Sequence, residues 1–470
     1  MLEDQSVEKI LQSIKTRQLS IKELMEYYLN RIDKINPDLN AIILLKDRET
    51  LINEAIKKDN LNETHKPLNG IPIAIKDLSD VVGLKTTYGF PGTKDYLPSK
   101  NTLFVDRLIK SGVIIIGKTN TAELGVGGHT TNRLFGPTSN CFDISKSAAG
   151  SSGGASTAVA TRLLPFADGT DQMGSCRGPA AYANIYGYRP TPGLISVDRS
   201  KDRKIPILTT PGCLARTPND MAFLLDEIVG SDIKDDYSFD LNQPFKNQKM
   251  GEKDFVNIKI GWLSDMNAYY KIENKIIDIC EKQLKKLENL NIKIEKLKPD
   301  FDHDTLWSSW ITFRSKSIYD DTLAMNIKDI NTMTYQAIWE YNNGKNISDK
   351  DLQIAKDQKN KCYKQIENIF KNFDFLALPS AQIFPFDKTL QFPKKINSFE
   401  LDTYHRWLEI FILSSLLELP TITVPVGFNE KGMPMGMQII GKNKSDLKLF
   451  AFVKKYEEIF NFSKFKPLLD

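Results

Sequence analysis

Apolar residues in the first forty positions recur at helical spacing and predict two helices. In the second, Ser20 opens a capping box with Glu23, and Ile21, Leu24, Tyr28, Ile32 and Ile35 form one apolar stripe, a packing face. Asn36-Pro37 is expected to close that helix. From Gly70 to Gly193 the texture changes: β-branched runs, Ile71 to Ile75 and Val113 to Ile116, alternate with loops rich in Gly, Ser and Thr. Between Asn120 and Gly193 lie 12 of the 27 glycines, a density that marks backbone turning sharply or approaching a ligand closely. Chemistry is expected there. Residues 198–250 read as loop-rich, and 250–372 become rich in Lys, Asn, Asp and Ile. A strand-like Val256 to Trp262 leads into an amphipathic helix carrying Ile272, Ile276, Ile277, Cys280, Leu284 and Leu287, and interleaved charges predict a solvated helical layer. Phe373 to Leu378, Thr421 to Val426 and Pro434 to Ile440 read as strands returning to the core. Strands at both ends predict one large α/β domain over residues 1–470, with the middle as its elaboration.

Composition narrows the function. The 470 residues are 41% hydrophobic and 10% aromatic, ample for a packed core. The formal charge of +4 (63 basic against 59 acidic residues) is dispersed, which argues against a nucleic-acid binder with its concentrated basic face. Cys141, Cys176, Cys213, Cys280 and Cys362 follow no C-x-x-C pattern, so neither a disulfide framework nor a structural zinc site is expected, and a reducing compartment fits better. His65, His129, His303 and His405 are the only histidines, few for any histidine-based mechanism. The acidic start lacks a signal-peptide layout, and no run reaches the ~18 apolar residues that span a bilayer. The expectation is a cytoplasmic protein with no membrane partner.

Three motifs compete. Gly112-Val-Ile-Ile-Ile-Gly117-Lys118-Thr119 matches the phosphate-loop pattern letter for letter, yet Thr102 to Ser111 looks helical before it and the branched Val-Ile-Ile-Ile favours a strand. Helix, C′ glycine and buried strand is the simpler reading. Gly150-Ser151-Ser152-Gly153-Gly154 sets Ser152 in a G-x-S-x-G frame, but the polar, small Phe142 to Ala149 supplies no strand for a nucleophile elbow. The third combination is Lys76, Ser151 and Ser175. Lys76 ends an apolar run, so its ammonium either snorkels outward or is held inside, where burial would lower its pKa from ~10.4 and make it a usable base. A serine nucleophile can be activated by such a base without histidine.

The stretches Asn69-Gly-Ile-Pro-Ile-Ala-Ile-Lys-Asp77, Gly117-Lys-Thr-Asn120, Phe135-Gly-Pro-Thr-Ser-Asn140, Gly150-Ser-Ser-Gly-Gly154 and Asp171-Gln-Met-Gly-Ser-Cys-Arg177 resemble the amidase signature family. The match runs from about residue 20 to 195, with the signature core over about 65–195, and resumes at Leu419 to Gly427 and Gly432 to Gly441. The two serines stand 24 residues apart. The resemblance implies an α/β fold with a central mixed β-sheet covered by helices, and a Ser–cis-Ser–Lys triad acting without cofactor or metal. By it Ser175 is the nucleophile that forms an acyl-enzyme, Ser151 follows a cis peptide bond and relays the proton, and Lys76 is the base. Backbone N–H groups of Gln172, Met173, Gly174 and Ser175 are the implied oxyanion hole. One departure stands out: the common pattern is Asp-x-Gly-Gly-Ser, and Met173 replaces its first glycine, strained if that position needs φ > 0 and otherwise narrowing the pocket. Asp171 and Arg177 are expected to brace the loop as a buried ion pair, and Cys176 to be a buried small residue.

Two functions fit this resemblance. One is a stand-alone amidohydrolase acting on a small-molecule amide, with a homodimer as one form; the other is the glutaminase-like component of a tRNA-dependent amidotransferase complex. A binding relative without catalysis is disfavoured by the intact Lys76/Ser151/Ser175 set. The amidotransferase component should hold glutamine with an acid in the helix before Leu419-Pro420, but the gap-free register puts Leu408 there, with Glu409 one residue off. His405 to Leu413 looks more like the general bacterial amidases, so hydrolysis is the favoured expectation. Substrate choice is expected to lie in the 120–135 loop, with His129 and Asn132 as candidates, and in a variable region of about 250–410 holding Trp307, Trp310, Trp339 and Trp407. Each tryptophan reads as core before contact, and aromatics near the pocket would favour an apolar or aryl acyl group.

Overall fold

Amphipathic spacing at the N-terminus produces α1 (Val7–Lys15) and α2 (Ile21–Leu39), the latter with the Ser20/Glu23 capping box formed. Helix α2 does not stop at Asn36-Pro37. Pro37 lies in its last turn, and the Asn36 side chain organises the exit by accepting the Ala41 and Ile42 N–H groups, while Asn40 caps the end in the left-handed region. The computed structural model describes residues 2–61, 63–199, 204–299 and 302–467; residues 200–203 of the segment expected to be loop lie outside these. Helix α3 (Arg48–Leu61) follows, then β1 (Pro72–Lys76), α4 (Leu103–Ser111) and β2 (Ile114–Thr119). Gly112 caps α4 at φ +97°, a conformation open to glycine, and the branched run beyond it pairs in parallel with β1. The Lys118 ammonium, which a phosphate loop would present to its ligand, is buried and donates to the Ser79 carbonyl and to Thr86.

The glycine-rich region continues as α5 (Gly153–Ala160), β3 (Phe166–Asp171), α6 (Arg177–Ala183) and β4 (Tyr186–Arg189). The segment expected to be loop-rich contains β5 (Thr210–Ala215) and α7 (Pro218–Ile228). Pro211 and Gly212 hide β5 from a propensity reading, yet it pairs with β3 on one side and β4 on the other. After the short α8 (Glu252–Val256) come β6 (Lys259–Trp262), α9 (Ile276–Glu288) and β7 (Lys293–Lys296), so Val256 ends a helix rather than starting a strand. Helices α10 (His303–Ala324), α11 (Tyr335–Lys345) and α12 (Asp349–Ile369) form the elaboration. They are more than a solvated layer, because α10 buries Leu306, Trp310, Phe313 and Arg314. The chain returns through β8 (Phe375–Pro379), a small hairpin of β9 (Lys395–Ile396) and β10 (Phe399–Glu400), α13 (Ile412–Leu416), β11 (Thr421–Phe428), β12 (Pro434–Gly441) and α14 (Asp446–Phe460).

One mixed sheet runs in the order β3-β5-β4-β11-β12-β8-β6-β7, parallel only at β8-β6-β7. The late strands β11 and β12 therefore sit at its centre, between β4 and β8. The chain is a single-domain α/β fold with a large mixed sheet and covering helices. One apolar cluster joins the N-terminal helices, α9 and α14 to the sheet. A second joins Met173 to Trp310, Phe313 and Phe411. No helix among the described residues is long and apolar enough to cross a membrane.

Candidate active site

The site is built where β1 and β3 end beside each other. Ile73, Ala74 and Ile75 are fully buried and carry Lys76 inward, where it too has no exposed surface. Its main-chain N–H donates to Asp168 Oδ1 at 2.9 Å, which ties the end of β1 to β3. Its ammonium Nζ lies 2.8 Å from Ser151 Oγ, 2.7 Å from Ser152 Oγ and 2.9 Å from Thr170 Oγ1. Of the two readings open for Lys76, the interior one holds. Burial lowers its pKa to about 8, and Asp168 and Asp171 pull against that fall. No motif marks Ser152 and Thr170 as partners of Lys76. Residues 168 and 170 share one face of β3 by strand alternation, a signal that becomes usable only once β1 is known to lie beside it.

Ser151 follows a cis peptide bond to Gly150. The 129–130 segment braces this turn: Thr130 N–H donates to the Ala149 carbonyl, and Ser147 Oγ meets His129 Nδ1 at 2.7 Å while accepting the Ala149 N–H. His129 Nε2 is 2.9 Å from the Lys388 carbonyl, and burial lowers its pKa to about 4, which keeps the ring neutral. Asn132 is also turned inward, bonded to Asn120 and the Thr121 carbonyl. His129 holds the serine-bearing loop through Ser147, and Asn132 ties its own loop to the end of β2.

The loop after β3 carries the other serine. Asp171 accepts the N–H groups of Gly174 (2.9 Å) and Cys176 (3.0 Å) and pairs with the Arg177 guanidinium at 2.8 Å, both side chains being wholly buried. Burial alone would push this carboxyl up; Arg177 and Arg189 hold it well below the ordinary carboxylate range. Arg177 reaches onward to Ser414 Oγ (2.6 Å), Ser415 Oγ (2.7 Å) and Gln438 Oε1 (2.6 Å). The expected buried ion pair is therefore present and also pins the loop to α13 and β12. Cys176 is fully buried, and its thiol is pushed up by that burial and by Asp171. Ser175 keeps a small exposed surface (8%), and its hydroxyl makes no hydrogen bond among the described residues, so Ser151 and Ser175 are not joined by one here.

The implied oxyanion donors differ in what they touch. Gly174 N–H is engaged by Asp171 Oδ1, whereas those of Gln172, Met173 and Ser175 have no acceptor among the described residues. The position that requires glycine is Gly174, at φ +86°, where a Cβ would lie 2.3 Å from the Phe411 ring. Met173 has an ordinary negative φ, so it is not strained, and its side chain joins the second apolar cluster. Gln172 has a further restraint. Its Oε1 accepts from Arg314, a buried residue of α10 that pairs with Glu340 at 2.6 Å and donates to Tyr404 at 3.2 Å. This link from the elaborating helices to the loop carries no motif in the sequence.

The remaining candidates sort by burial. Trp310 and Trp407 are core, and Trp407 Nε1 donates to the Tyr404 carbonyl. Trp307 and Trp339 are partly exposed, Trp307 lying 3.8 Å beneath the Arg406 guanidinium. Glu409 is buried and committed to Arg406 (3.0 Å) and the Tyr269 hydroxyl. Among the described residues no group of three or more His, Cys, Asp or Glu could hold a metal ion. What the arrangement offers chemically is a buried amine on two serine hydroxyls, next to a nearly buried third serine and three free N–H groups.

Comparison with known proteins agrees with that chemistry. The chain is 29% identical over 98% of its length, and 97% of the other's, to an acylamidase of Rhodococcus erythropolis. It is 26% identical, over 96% of its length and 98% of the other's, to the A component of the glutamyl-tRNA(Gln) amidotransferase of Sulfolobus acidocaldarius. Its fold superposes with a TM-score of 0.89 on the crystal structure of a bacterial aryl acylamidase of the amidase signature enzymes, 24% identical and covering 98% and 97% of the two chains. The family model described as Amidase matches residues 23–450. The buried lysine, the paired serines and the strand order that assembles them thus belong to a chain that is a member of the Amidase family, an amide-bond hydrolase by class.

Proposed function

We propose that this chain hydrolyses a carboxylic amide through an acyl-enzyme on Ser175, with Ser151 as proton relay and Lys76 as base. The observation that carries the reading is the buried Lys76 amine within 2.8 Å of Ser151 Oγ, with its pKa lowered by burial to about 8. In its neutral form Lys76 takes the Ser151 proton as Ser151 takes that of Ser175, and Ser175 Oγ forms a bond to the amide carbon. The carbonyl π electrons move to oxygen, and that oxyanion is met by the free N–H groups of Gln172, Met173 and Ser175 rather than by Gly174. Collapse breaks the C–N bond, and Lys76 returns its proton through Ser151 to the departing nitrogen. Water then attacks the ester under the same base, Ser175 recovers its proton, and the carboxylic acid leaves. Ser152 and Thr170 hold the amine in position as hydrogen-bond partners throughout.

Hydrolysis is favoured over the amidotransferase role by the commitments of the charged groups: Glu409 is held by Arg406 and Tyr269, and Arg314 by Glu340 and Gln172. The likeness to an acylamidase over nearly the whole chain supports the same choice. In this reading the 65–195 core does the chemistry and the 250–410 region shapes the acyl side. The test is ammonia or aniline release from aliphatic amides, benzamide and acetanilides by the purified chain. Turnover that disappears in Ser175→Ala is the expected result. Activity toward glutamine alone, and only with partner proteins and tRNA, would overturn the proposal.

A further inference from the structure

At the end of β3 and β5 remote from the nucleophile loop lies a cavity of about 380 Å³ that the amidase chemistry does not use. The register places Phe166 opposite Ala215 at that end and Asp171 opposite Thr210 at the other, about 17 Å away at strand rise. Among the described residues, Arg162, Arg216, Lys464 and Lys466 line the cavity, against the two carboxylates Asp4 and Asp220. The N-caps of α1 and α7, Ser6 and Thr217, line it as well, so the positive ends of two helix dipoles converge there.

The carboxylates are occupied. Asp4 accepts from Arg162 at 2.8 Å and Lys466 at 3.1 Å. Asp220 accepts the Val7 N–H and the Thr217 hydroxyl and lies beyond ion-pair distance of Arg216. Arg216 is left over. It is 7% exposed, its Nη1 is buried without a hydrogen-bond partner, and it enters no ion pair among the described residues. A buried guanidinium N–H with no acceptor is a costly arrangement for a structural residue and an ordinary one for a ligand-binding residue. We infer that this cavity binds a phosphate dianion, free or carried on a small molecule, with Arg216 and Arg162 as its principal donors. Two negative charges offset the cationic excess of the lining, a phosphate oxygen supplies the acceptor that Arg216 lacks, and the remaining volume accommodates an attached group.

The test is thermal unfolding of the full chain in phosphate-free buffer, titrated with inorganic phosphate or glycerol phosphate at constant ionic strength, with potassium chloride as control. A saturable rise in Tm of about 2 °C or more is expected with at least one phosphate and not with chloride. A rise with both phosphates points to the free ion, and a rise with glycerol phosphate alone to a phosphoester. Arg216→Met should not respond to phosphate. If Arg216→Met does not fold, the surface double variant Lys464→Gln/Lys466→Gln should shift the titration midpoint several-fold higher. No phosphate-specific rise in the native chain, an equal rise in Arg216→Met, or an unmoved midpoint in the double variant would each overturn the inference.

Discussion

Asp168 is the most informative single position for the proposed base. Its Oδ1 holds the Lys76 N–H, its Oδ2 is buried without a partner, and burial raises its pKa to about 6 despite that hydrogen bond and the two neighbouring lysines, Lys76 and Lys118. At pH 7 it is therefore mostly ionised, and its charge favours protonated Lys76. For a charge separation taken as about 6 Å, the attraction is ~2.8 kcal/mol at an effective dielectric of 20. Asp168→Asn keeps the acceptor oxygen and removes the charge. Because the base must be neutral, turnover rises with pH through about 8 in the native enzyme, and the variant should move that acid limb down. Because Asp168 itself titrates near 6, the neutral fraction at pH 6.5 rises by roughly two- to three-fold. Below pH 6 the two profiles should converge, as Asp168 takes up its own proton. The assay is kcat/KM against pH from 5.5 to 9.5, each profile scaled to its own plateau. An acid limb that stays in place, or moves upward, would refute the electrostatic account of Lys76.

Three further outcomes follow from the same geometry. Lys76→Met should abolish turnover yet raise stability near pH 7; since the folded-state pKa of about 8 lies below the unfolded value of ~10.4, native stability grows with pH across that window, so chemical denaturation should show the variant's advantage shrinking by ~3 kcal/mol by pH 10.5. Arg177→Met leaves Asp171 buried without its main counter-charge, and denaturant titration should show a loss of about 3–5 kcal/mol. Gly174→Ala drives a methyl into Phe411 at a positive φ and should lower kcat/KM at least ~100-fold by displacing the neighbouring N–H donors; a variant with undiminished kcat/KM would remove the loop geometry from the mechanism.

How much of this is legible in the sequence depends on how local the cause is. Lys76, Ser151 and Ser175 stand in short motifs, and Gly112 and the branched run beyond it identify their own conformations, so both can be read directly. Strand β5 cannot, because Pro211 and Gly212 carry no strand propensity and its pairing with β3 and β4 is a tertiary choice. His129 and Asn132 sit in the right loop, but which way a side chain points there is decided by Ser147, Asn120 and the Lys388 carbonyl. Arg314 meets Gln172 across 142 positions, and the Gly174 N–H is claimed by a carboxylate three residues earlier. Motif letters name these atoms without saying which are already engaged.

The reach of Arg177 to Ser414, Ser415 and Gln438 also imposes an order on biosynthesis. A nascent chain emerging from the ribosome displays Lys76, Ser151 and Ser175 long before β11 and β12 exist to enter the middle of the sheet. Until those strands arrive, the loop around Ser175 lacks the anchors that Arg177 finds on α13 and β12, so the growing polypeptide holds the proposed triad without the frame that shapes it. On the proposed mechanism competence comes only near the end of synthesis, and a chain released short of Gln438 is expected to be inactive.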